Sequence, residues 1–246
     1  MSNQRINLIG VPVDILRPED LEMTVLELLA KPGTKQVVFL SIWGLMKARH
    51  RGEFQECVNN ADLVIPVSKS ILWGAGFLKK QVPVRYNPFQ AVISIMSVLE
   101  AHFKSIFMLG SHGQTLHTAE MNVHATFPKL QIVGRYHGYY QKNAEPNVIQ
   151  AIYKASPSLV LYSEGIKEKD VWAYKRRNQF SSSLFIYYKE ALGIFSKRIK
   201  RIDEETFRRG HEIIHEIVRN PLKIFLLLPF LHYILVLVWF RLLKKY

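Results

Sequence analysis

Short apolar runs alternate with longer stretches of helical composition along most of the chain. Each run is four to six residues long and mostly apolar, which is typical of strands buried on both faces of a parallel sheet. Glycine, proline or asparagine near the ends of several runs predicts the turns. The predicted strands are Val37–Leu40, Ala61–Pro66, Ser105–Leu109, Leu130–Val133, Ser158–Tyr162 and Leu184–Tyr188.

A predicted helix accompanies most of these strands. Strands that alternate with helices favour a parallel sheet covered on both faces. We therefore expect an α/β, Rossmann-like domain over residues 1–190, followed by a basic helical appendage over residues 191–246. The predicted helices are Leu45–Asn60, Ile71–Leu78, Ala91–Ala101, Gln114–Ala125, Pro146–Ala155 and Lys167–Arg177.

Positive charge is concentrated in the last part of the chain. Of the formal net charge of +13, the segment from Arg176 onward carries +8, because fourteen Lys and Arg residues face six Asp and Glu residues there. Such a block favours polyanionic partners. Nucleic acid is not expected, since neither a basic sheet with interleaved aromatic residues nor a recognition helix is evident. Anionic lipid heads and sugar phosphates are the expected partners.

The segment Ile224–Phe240 has seventeen residues without a formal charge. Seventeen is the short limit for crossing a bilayer core of ~30 Å, and Pro229 and His232 weaken a straight span. The run also has no polar face, so it does not resemble a simple amphipathic surface helix. We expect attachment to the cytoplasmic face of the membrane, with a buried core helix as the alternative. The flanking cations are Arg219, Lys223, Arg241, Lys244 and Lys245.

Neither a metal nor a cofactor is expected from the sequence. The single cysteine, Cys57, excludes an internal disulfide and a Cys-rich metal site, and it favours a reducing compartment. MSNQRINLIG lacks the apolar stretch of a signal peptide. No acidic or cysteine cluster accompanies the histidines that could suggest a metal, so we interpret them as loop and surface residues. These histidines are His112, His117, His124 and His137.

Glycines stand at the ends of three predicted strands. Gly110 follows one strand, Gly134 is predicted to end the next, with Gly138 in the turn, and Gly165 follows a third. Ligands of α/β proteins bind at the carboxyl edge of the sheet. Glycine there lets backbone amides and a helix N-terminus approach a phosphate. The pattern matches no established phosphate loop, so ordinary turns are an equal interpretation.

Several longer stretches, in order and spacing, resemble one family. They include GVPVD from Gly10, KARHRGEFQECVNNADLVIP from Lys47, FMLGS from Phe107, FPKLQIVGRYHGYY from Phe127 and SKRIKR from Ser196. The chain resembles the WecG/TagA/CpsF family of bacterial glycosyltransferases from Gly10 to about Pro221. The resemblance implies metal-free transfer of a sugar from a UDP-sugar to an undecaprenyl-diphosphate-linked sugar at the inner face of the cytoplasmic membrane. It also implies that arginines of the appendage contact the donor diphosphate.

The polar positions of the family's site depart from its pattern. Val67 stands where the family has the aspartate proposed as general base, and valine cannot accept a proton. Phe39 and Ser41 replace a threonine and an asparagine, and Lys169 replaces a glutamine. Arg85 is retained, while Pro88 and Gln90 replace a glycine and a carboxylate, Asp170 shortens a glutamate, and Lys189–Gly193 replaces a glycine- and aspartate-containing segment.

The catalytic residue is therefore unassigned. Glu164, at the carboxyl end of a strand, is a weak substitute for the base, and Asp62 stands at the wrong end of its strand. We expect the substrate and nucleotide to be bound by the residues that match the family's site or line the strand ends. These are Ser41, Arg85, Gly110, Ser111, Tyr136, His137, Gly138, Tyr139, Gly165, Lys169, Arg198 and Arg201.

Two functions fit the sequence. The first is a non-catalytic binding or partner subunit of cell-envelope polysaccharide assembly, working at the membrane beside an active glycosyltransferase or another assembly protein. The second is an active, divergent glycosyltransferase with a relocated base. The first is favoured because losing one general base lowers a rate by a factor of roughly 10² to 10⁴, and other site groups are lost with it.

Overall fold

The computed structural model describes residues 4–210 and 227–243. Its centre is a parallel six-stranded sheet, within residues 4–210, in the order β4-β3-β8-β7-β5-β6. A separate antiparallel hairpin, β1-β2, precedes it. The strands are β1 (Gln4–Leu8), β2 (Val11–Ile15), β3 (Lys35–Leu40), β4 (Leu63–Pro66), β5 (Ser105–Leu109), β6 (Gln131–Tyr136), β7 (Leu159–Tyr162) and β8 (Leu184–Tyr187).

Helices cover both faces of the sheet, which confirms the predicted α/β, Rossmann-like fold. Alternate residues of a strand serve opposite faces: Ile106 and Met108 pack towards α1, α5, α6 and α9, whereas Phe107 and Leu109 pack towards α7 and α8. The helices are α1 (Leu21–Ala30), α2 (Ile42–Ala48), α3 (Glu53–Asn59), α4 (Lys69–Phe77), α5 (Pro88–Ala101), α6 (Gly113–Thr126), α7 (Glu145–Ala155), α8 (Asp170–Arg176), α9 (Ala191–Phe195), α10 (Glu204–Arg209) and a C-terminal helix (Leu227–Leu242).

The β1-β2 hairpin was not predicted, and it lies against the β4 edge of the sheet. Arg5 and Asp14 form a two-pronged ion pair across the hairpin, with N–O distances of 2.7 and 2.8 Å. The Asp14 carboxylate accepts from the amide of Val64 at 2.6 Å, and Arg5 donates to the carbonyls of Ala61 and Asp62. The pair therefore satisfies backbone groups at the start of β4 that a neighbouring strand would otherwise bond.

Several predicted boundaries differ from the structure, and two of the differences involve glycines. The helix predicted over Leu45–Asn60 is two helices, α2 and α3, because Gly52 adopts φ +151, a conformation that L-residues rarely adopt. Gly134 does not end its strand, since β6 continues to Tyr136. Gly134 instead leaves room for the ring of Phe107 on the neighbouring strand, 2.6 Å from where a Cβ atom would lie.

The C-terminal helix packs against α2 and α4 with one face. Tyr233 and Leu237 are buried there, and the Tyr233 hydroxyl donates to the Ser70 carbonyl at 2.8 Å. Gly74 of α4 makes this approach feasible, because a Cβ atom at that position would overlap the Tyr233 hydroxyl. The opposite face exposes Leu228, Leu231, Leu235, Trp239 and Leu242.

Among the residues that the structure describes, none of the helices is both long and apolar enough to cross a membrane. The start of the predicted apolar segment, residues 224–226, lies outside the described residues, as do the flanking cations Arg219, Lys223, Lys244 and Lys245. Membrane attachment therefore stays a prediction.

Candidate functional site

The loops that follow β5, β6 and β7 meet at the carboxyl end of the sheet, and we call this region the glycine edge. It contains Gly110, Gly138 and Gly165. A Cβ atom on Gly138 would lie 3.0 Å from the Cα atoms of both other glycines and 2.8 Å from the Glu164 carbonyl. Gly110 and Gly165 also have φ of +124 and +93. These glycines therefore let three loops touch through their backbones.

Backbone hydrogen bonds tie the same loops together. The amides of Gly138 and Ser111 donate to the Ser111 and Glu164 carbonyls at 2.8 and 2.7 Å, and the Tyr139 amide donates to the Gly165 carbonyl at 3.1 Å. These amides already donate to carbonyls of neighbouring loops, so they are not available to a ligand. The first-turn amides of α6, which begins at Gly113, have no intrahelical acceptor and are the better donors for an anion.

Three non-glycine residues of the glycine edge have a positive φ, which L-residues rarely adopt. Ser111 and Tyr139 have φ of +57 and +56, and Lys169, with φ +52 and ψ −131, precedes α8. Such conformations cost roughly 1–3 kcal/mol each and persist where the surrounding structure imposes them, often at functional sites. Their grouping at neighbouring strand ends marks this edge as a candidate binding site.

Glu164 connects the body of the glycine edge with the segment that follows the sheet. Its carboxylate accepts from the Ser111 hydroxyl at 3.0 Å, and the same oxygen pairs with the Arg198 guanidinium. The Glu164 side chain is only 15% exposed, whereas Arg198 is 46% exposed. Arg198 is therefore a solvent-accessible cation whose charge is balanced by an internal carboxylate.

Aromatic rings line the outer side of the glycine edge. The ring of His112, which precedes α6, stacks on Tyr139 with centroids 4.4 Å apart and planes at 11°. Tyr136 makes a tilted contact with His137 and an edge-on contact with Tyr140. Flat rings beside a polar edge suit a nucleobase or the apolar face of a sugar.

A neighbouring cavity of about 230 Å³ lies between the glycine edge and α8. Arg176 bridges two carboxylates in its wall, Glu145 at 2.9 Å and Glu168 at 2.5 Å. Burial is the main cause that raises the pKa of Tyr140 to about 12, so its hydroxyl stays protonated. The lining residues are Tyr140, Lys142, Glu145, Gly165, Lys167, Glu168, Trp172 and Arg176.

The loops that follow β4 and β8 form a second region, which we call the apolar edge. Val67 directly follows β4 and Tyr188 directly follows β8. Between them lies a cavity of about 150 Å³. Within the described ranges none of the lining residues is acidic. They are Val67, Asn87, Pro88, Phe89, Tyr188, Ile194, Arg201, Ile202 and Phe207.

Arg85 fastens the appendage onto the apolar edge. It donates to the Val67 carbonyl at 2.9 Å and to the Phe207 carbonyl at 2.6 Å, and its guanidinium lies 3.7 Å from the centre of the Phe207 ring. Burial lowers the pKa of Arg85 to about 10, so it stays charged at neutral pH. The side chain thus has a structural role in this state, beside any contact with substrate.

The other polar residues expected near Val67 also have structural partners. The Ser41 hydroxyl accepts from the Gly44 amide at 3.1 Å and caps α2, and Ser68 accepts from the Ile42 amide at 3.0 Å. Phe39 packs edge-on against Tyr188, with ring centroids 6.2 Å apart. The Asp62 carboxylate accepts from the Gln36 amide at the amino end of β3, so it lies away from this edge.

The structure therefore divides the predicted site residues between two regions. Arg198 and Lys169 lie with the glycine edge, and Ser41, Arg85 and Arg201 lie with the apolar edge. Arg201 donates to Gln90 at 2.5 Å and lies over the ring of Phe89. The remaining predicted residues, all at the glycine edge, are Gly110, Ser111, Tyr136, His137, Gly138, Tyr139 and Gly165.

The titration of one group, Asp170 at the start of α8, was not predicted from the sequence. Burial raises the pKa of Asp170 to about 7, so its carboxylate titrates near neutral pH. Its charge also raises the pKa of Tyr162 and of Tyr187, after burial as the main cause, and these tyrosines end β7 and β8. A carboxylate at the first position of a helix is normally solvated. The raised pKa of Asp170 therefore follows from the tertiary packing and not from the local sequence.

Comparison with known proteins gives one assignment. The sequence model described as "Glycosyl transferase WecG/TagA/CpsF family" matches residues 6–246, which is nearly the whole chain. The comparison with curated proteins found no match. Within the described parts of the chain, no cluster of three or more His, Cys, Asp or Glu residues could hold a metal ion.

Proposed function

Because this chain belongs to the WecG/TagA/CpsF family of glycosyltransferases, whose members serve cell-envelope polysaccharide synthesis, we propose that it binds a UDP-sugar at the cytoplasmic membrane without transferring the sugar. In this role it is a binding or partner subunit of polysaccharide assembly. The observation that carries the proposal is the chemistry of the apolar edge around Val67.

Sugar transfer needs a proton acceptor beside the attacking hydroxyl, because the pKa of an alcohol lies far above neutral. Val67 stands where the family has its aspartate, and its carbonyl already accepts from Arg85. Ser41 is occupied as a helix cap, and no acidic residue of the described ranges lines the adjoining cavity. The local groups thus support loss of the family's acid–base chemistry.

The glycine edge supports retention of nucleotide binding. The start of α6, the accessible cation of Arg198 and the stacked His112–Tyr139 pair offer an anion site next to an aromatic surface. A nucleoside diphosphate has both an anionic part and a flat base. Charge and shape are therefore suitable without any catalytic group.

A second candidate, the active divergent enzyme, depends on Glu164. Its carboxylate is held by Ser111 at the strand ends, where a reacting hydroxyl could approach. The pairing with Arg198 weakens this alternative, because the carboxylate oxygen that accepts from Ser111 is already engaged by a cation.

Calorimetry with UDP-N-acetylhexosamines and the purified full-length chain tests the binding role. We expect saturable binding, and no sugar transfer from these donors to a lipid-diphosphate acceptor in a parallel assay. Val67→Asp should not restore transfer, since Lys169, Pro88 and the Lys189–Glu190 pair leave the family's site incomplete. Turnover by the wild type that Glu164→Gln abolishes would establish the second candidate, and absence of nucleotide binding would disprove the first.

The membrane location has a separate test. Removing residues 221–246 deletes the apolar helix with its exposed leucines and Trp239, so we expect the shortened chain to be soluble without detergent. A full-length chain that is already soluble and monomeric would contradict membrane attachment.

The basic appendage is tested with anionic liposomes. Replacing Arg198, Lys200, Arg201, Arg208 and Arg209 by Gln should weaken binding most at low salt, where screening is least. Unchanged binding at low salt would show that these cations do not contact the lipid surface.

A further inference from the structure

A groove of about 860 Å³ lies between α7 and the last turn of α8, and we call it the α7 groove. It shares Glu145 and Arg176 with the smaller cavity beside the glycine edge, and it is otherwise separate from both edges. Its volume falls within the ~300–1,000 Å³ that small-molecule sites occupy. Pro146, Ile149 and Tyr153 recur three and four residues apart along α7, so one face of this helix forms a continuous wall.

The charges that line the α7 groove are balanced within the protein. Glu145 pairs with Arg176 at 2.9 Å, and Arg176 also pairs with Glu168 at 2.5 Å. Lys175 pairs with Glu53 at 2.8 Å and with Glu168 at 2.9 Å. Each charged residue that lines the groove thus has a partner of opposite sign. An ionic ligand would have to replace one of these partners, so the groove favours a neutral ligand.

Three side-chain amides of the α7 groove are available to such a ligand. Those of Asn147, Gln150 and Gln179 make no hydrogen bond to any residue within 4–210 or 227–243. Each amide offers two N–H donors beside a carbonyl acceptor. Neighbouring hydroxyls of a sugar present the complementary acceptor and donor, so a hydroxyl-rich ligand can use all of these groups.

The ring of Tyr153 adds a flat apolar surface beside the amides. Tyr153 is 57% exposed although it lines the groove. An aromatic ring packs well on the C–H face of a sugar, while the sugar hydroxyls point sideways to polar partners. A peptide is less suitable, because among the lining residues that the structure describes only Pro146 and Ile149 are aliphatic and could receive apolar anchor side chains.

We propose that the α7 groove binds a neutral oligosaccharide through the amides of Asn147, Gln150 and Gln179, with one sugar ring lying on Tyr153. The ligand carries neither a nucleotide nor a lipid, so the groove is a second carbohydrate site, independent of the proposed function. Because Glu145 is shared with the cavity beside the glycine edge, the bound oligosaccharide lies next to the region proposed for the UDP-sugar. Each hydroxyl–amide bond adds little in water, so several sugar units have to bind together.

An NMR titration of the full-length, ¹⁵N-labelled chain with neutral tetrasaccharides tests the inference. The probes are cellotetraose, maltotetraose and N-acetylchitotetraose, which differ in linkage and in substituents. We expect at least one of them to shift the side-chain amide signals of Gln150 and Gln179 saturably. It should bind about tenfold more tightly than its monosaccharide, because contacts to several units contribute.

Two variants of exposed α7 residues locate the binding site. Gln150→Ala removes an amide and Tyr153→Ala removes the ring, and both residues are exposed, so the fold should be preserved. We expect each to weaken tetrasaccharide binding about fivefold or more. Lys154→Ala, at an exposed residue of the same helix that does not line the groove, is the matched control and should change nothing. UDP-sugar calorimetry should give the same affinity for all three variants.

Absence of saturable shifts with all three tetrasaccharides would overturn the inference, as would unchanged binding by both groove variants. Larger shifts with N-acetyl-tetraglycine amide than with any tetrasaccharide would assign the groove to a peptide instead. Displacement of the tetrasaccharide by inorganic phosphate would contradict a neutral site. A chain that binds a tetrasaccharide but no UDP-sugar keeps this inference and loses the proposed function.

Discussion

The glycine edge and the apolar edge lie side by side at the carboxyl end of one sheet, yet they are built in opposite ways. At the glycine edge, backbone touches backbone, and a single added Cβ atom on Gly138 or Gly165 would lie within 3.0 Å of neighbouring main-chain atoms. At the apolar edge, side chains stand between the loops and leave a cavity of about 150 Å³.

In the proposed function, this difference separates ligand binding from proton chemistry on one scaffold. A backbone-built region depends on loop geometry, which a change of side chains elsewhere leaves intact. A side-chain-built region depends on the residues that line it, and here Arg85 holds the loops together through the Val67 and Phe207 carbonyls. In the proposed function, the family fold keeps its binding region without the acid–base chemistry.

The largest expected difference between the two edges comes from adding a methyl group to the glycine edge. Gly138→Ala brings a Cβ atom to 2.8 Å from the Glu164 carbonyl, so we expect a loss of about 3 kcal/mol of unfolding free energy, measured by urea denaturation. Gly113→Ala is the control, because no atom beyond its chain neighbours and its own helix backbone lies within 4 Å of its Cβ position. Equal effects of the two substitutions would mean that the loops are not closely packed.

Asp170, at the start of α8, makes stability depend on pH. Its pKa is about 7 in the fold and near 4 when unfolded, so the folded state holds the proton more tightly. Stability from this group is complete below pH ~4 and is lost as pH rises towards 7. Asp170→Asn should therefore stabilise the protein by about 2 kcal/mol at pH 8 and by little at pH 4. A difference independent of pH would contradict the raised pKa.

Arg85 tests how the apolar edge is held together. Arg85→Met keeps the length of the side chain but removes donors to the Val67 and Phe207 carbonyls, so we expect a loss of about 1–2 kcal/mol. Hydrogen exchange should accelerate in α10 and stay unchanged in α6. Slow exchange in α10 of the variant would show that other contacts hold the appendage.

The smallest expected effect is a change in UDP-sugar affinity when the Glu164–Arg198 pair is altered. Glu164→Gln removes the charge that balances Arg198, so we expect UDP-sugar affinity to rise about threefold to tenfold, whereas Arg198→Gln should lower it by a similar factor. Glu120→Gln, which alters the surface pair with Arg135, is the control. If Glu164→Gln weakens binding, the carboxylate contacts the ligand rather than competing with it.

Much of the fold was predictable because the buried strands are continuous apolar runs, as at β5 and β7. The hairpin was missed because β1 is polar and mostly exposed along its length. Gly134 was misplaced because its role is to accommodate Phe107 of another strand. Such contacts join residues that are distant in sequence, so the local sequence pattern does not predict them.

For the site, the sequence showed the glycines at the strand ends. It did not show that they bring the backbones of three loops into contact. The amides of Ser111 and Gly138 bond to neighbouring loops, and only the folded chain shows which atoms remain for a ligand. The raised pKa of Asp170 likewise arises from burial by other elements. Residue types thus predict where a site lies better than they predict its hydrogen bonds.

The ion pair of the hairpin has a consequence for self-association. Arg5 and Asp14 occupy donors and acceptors of β4 that could otherwise recruit a strand from a second molecule. The pair therefore blocks strand addition at the β4 edge of the sheet. Loss of either partner would leave these backbone groups open to a strand of a second molecule, so aggregation would accompany the loss of stability.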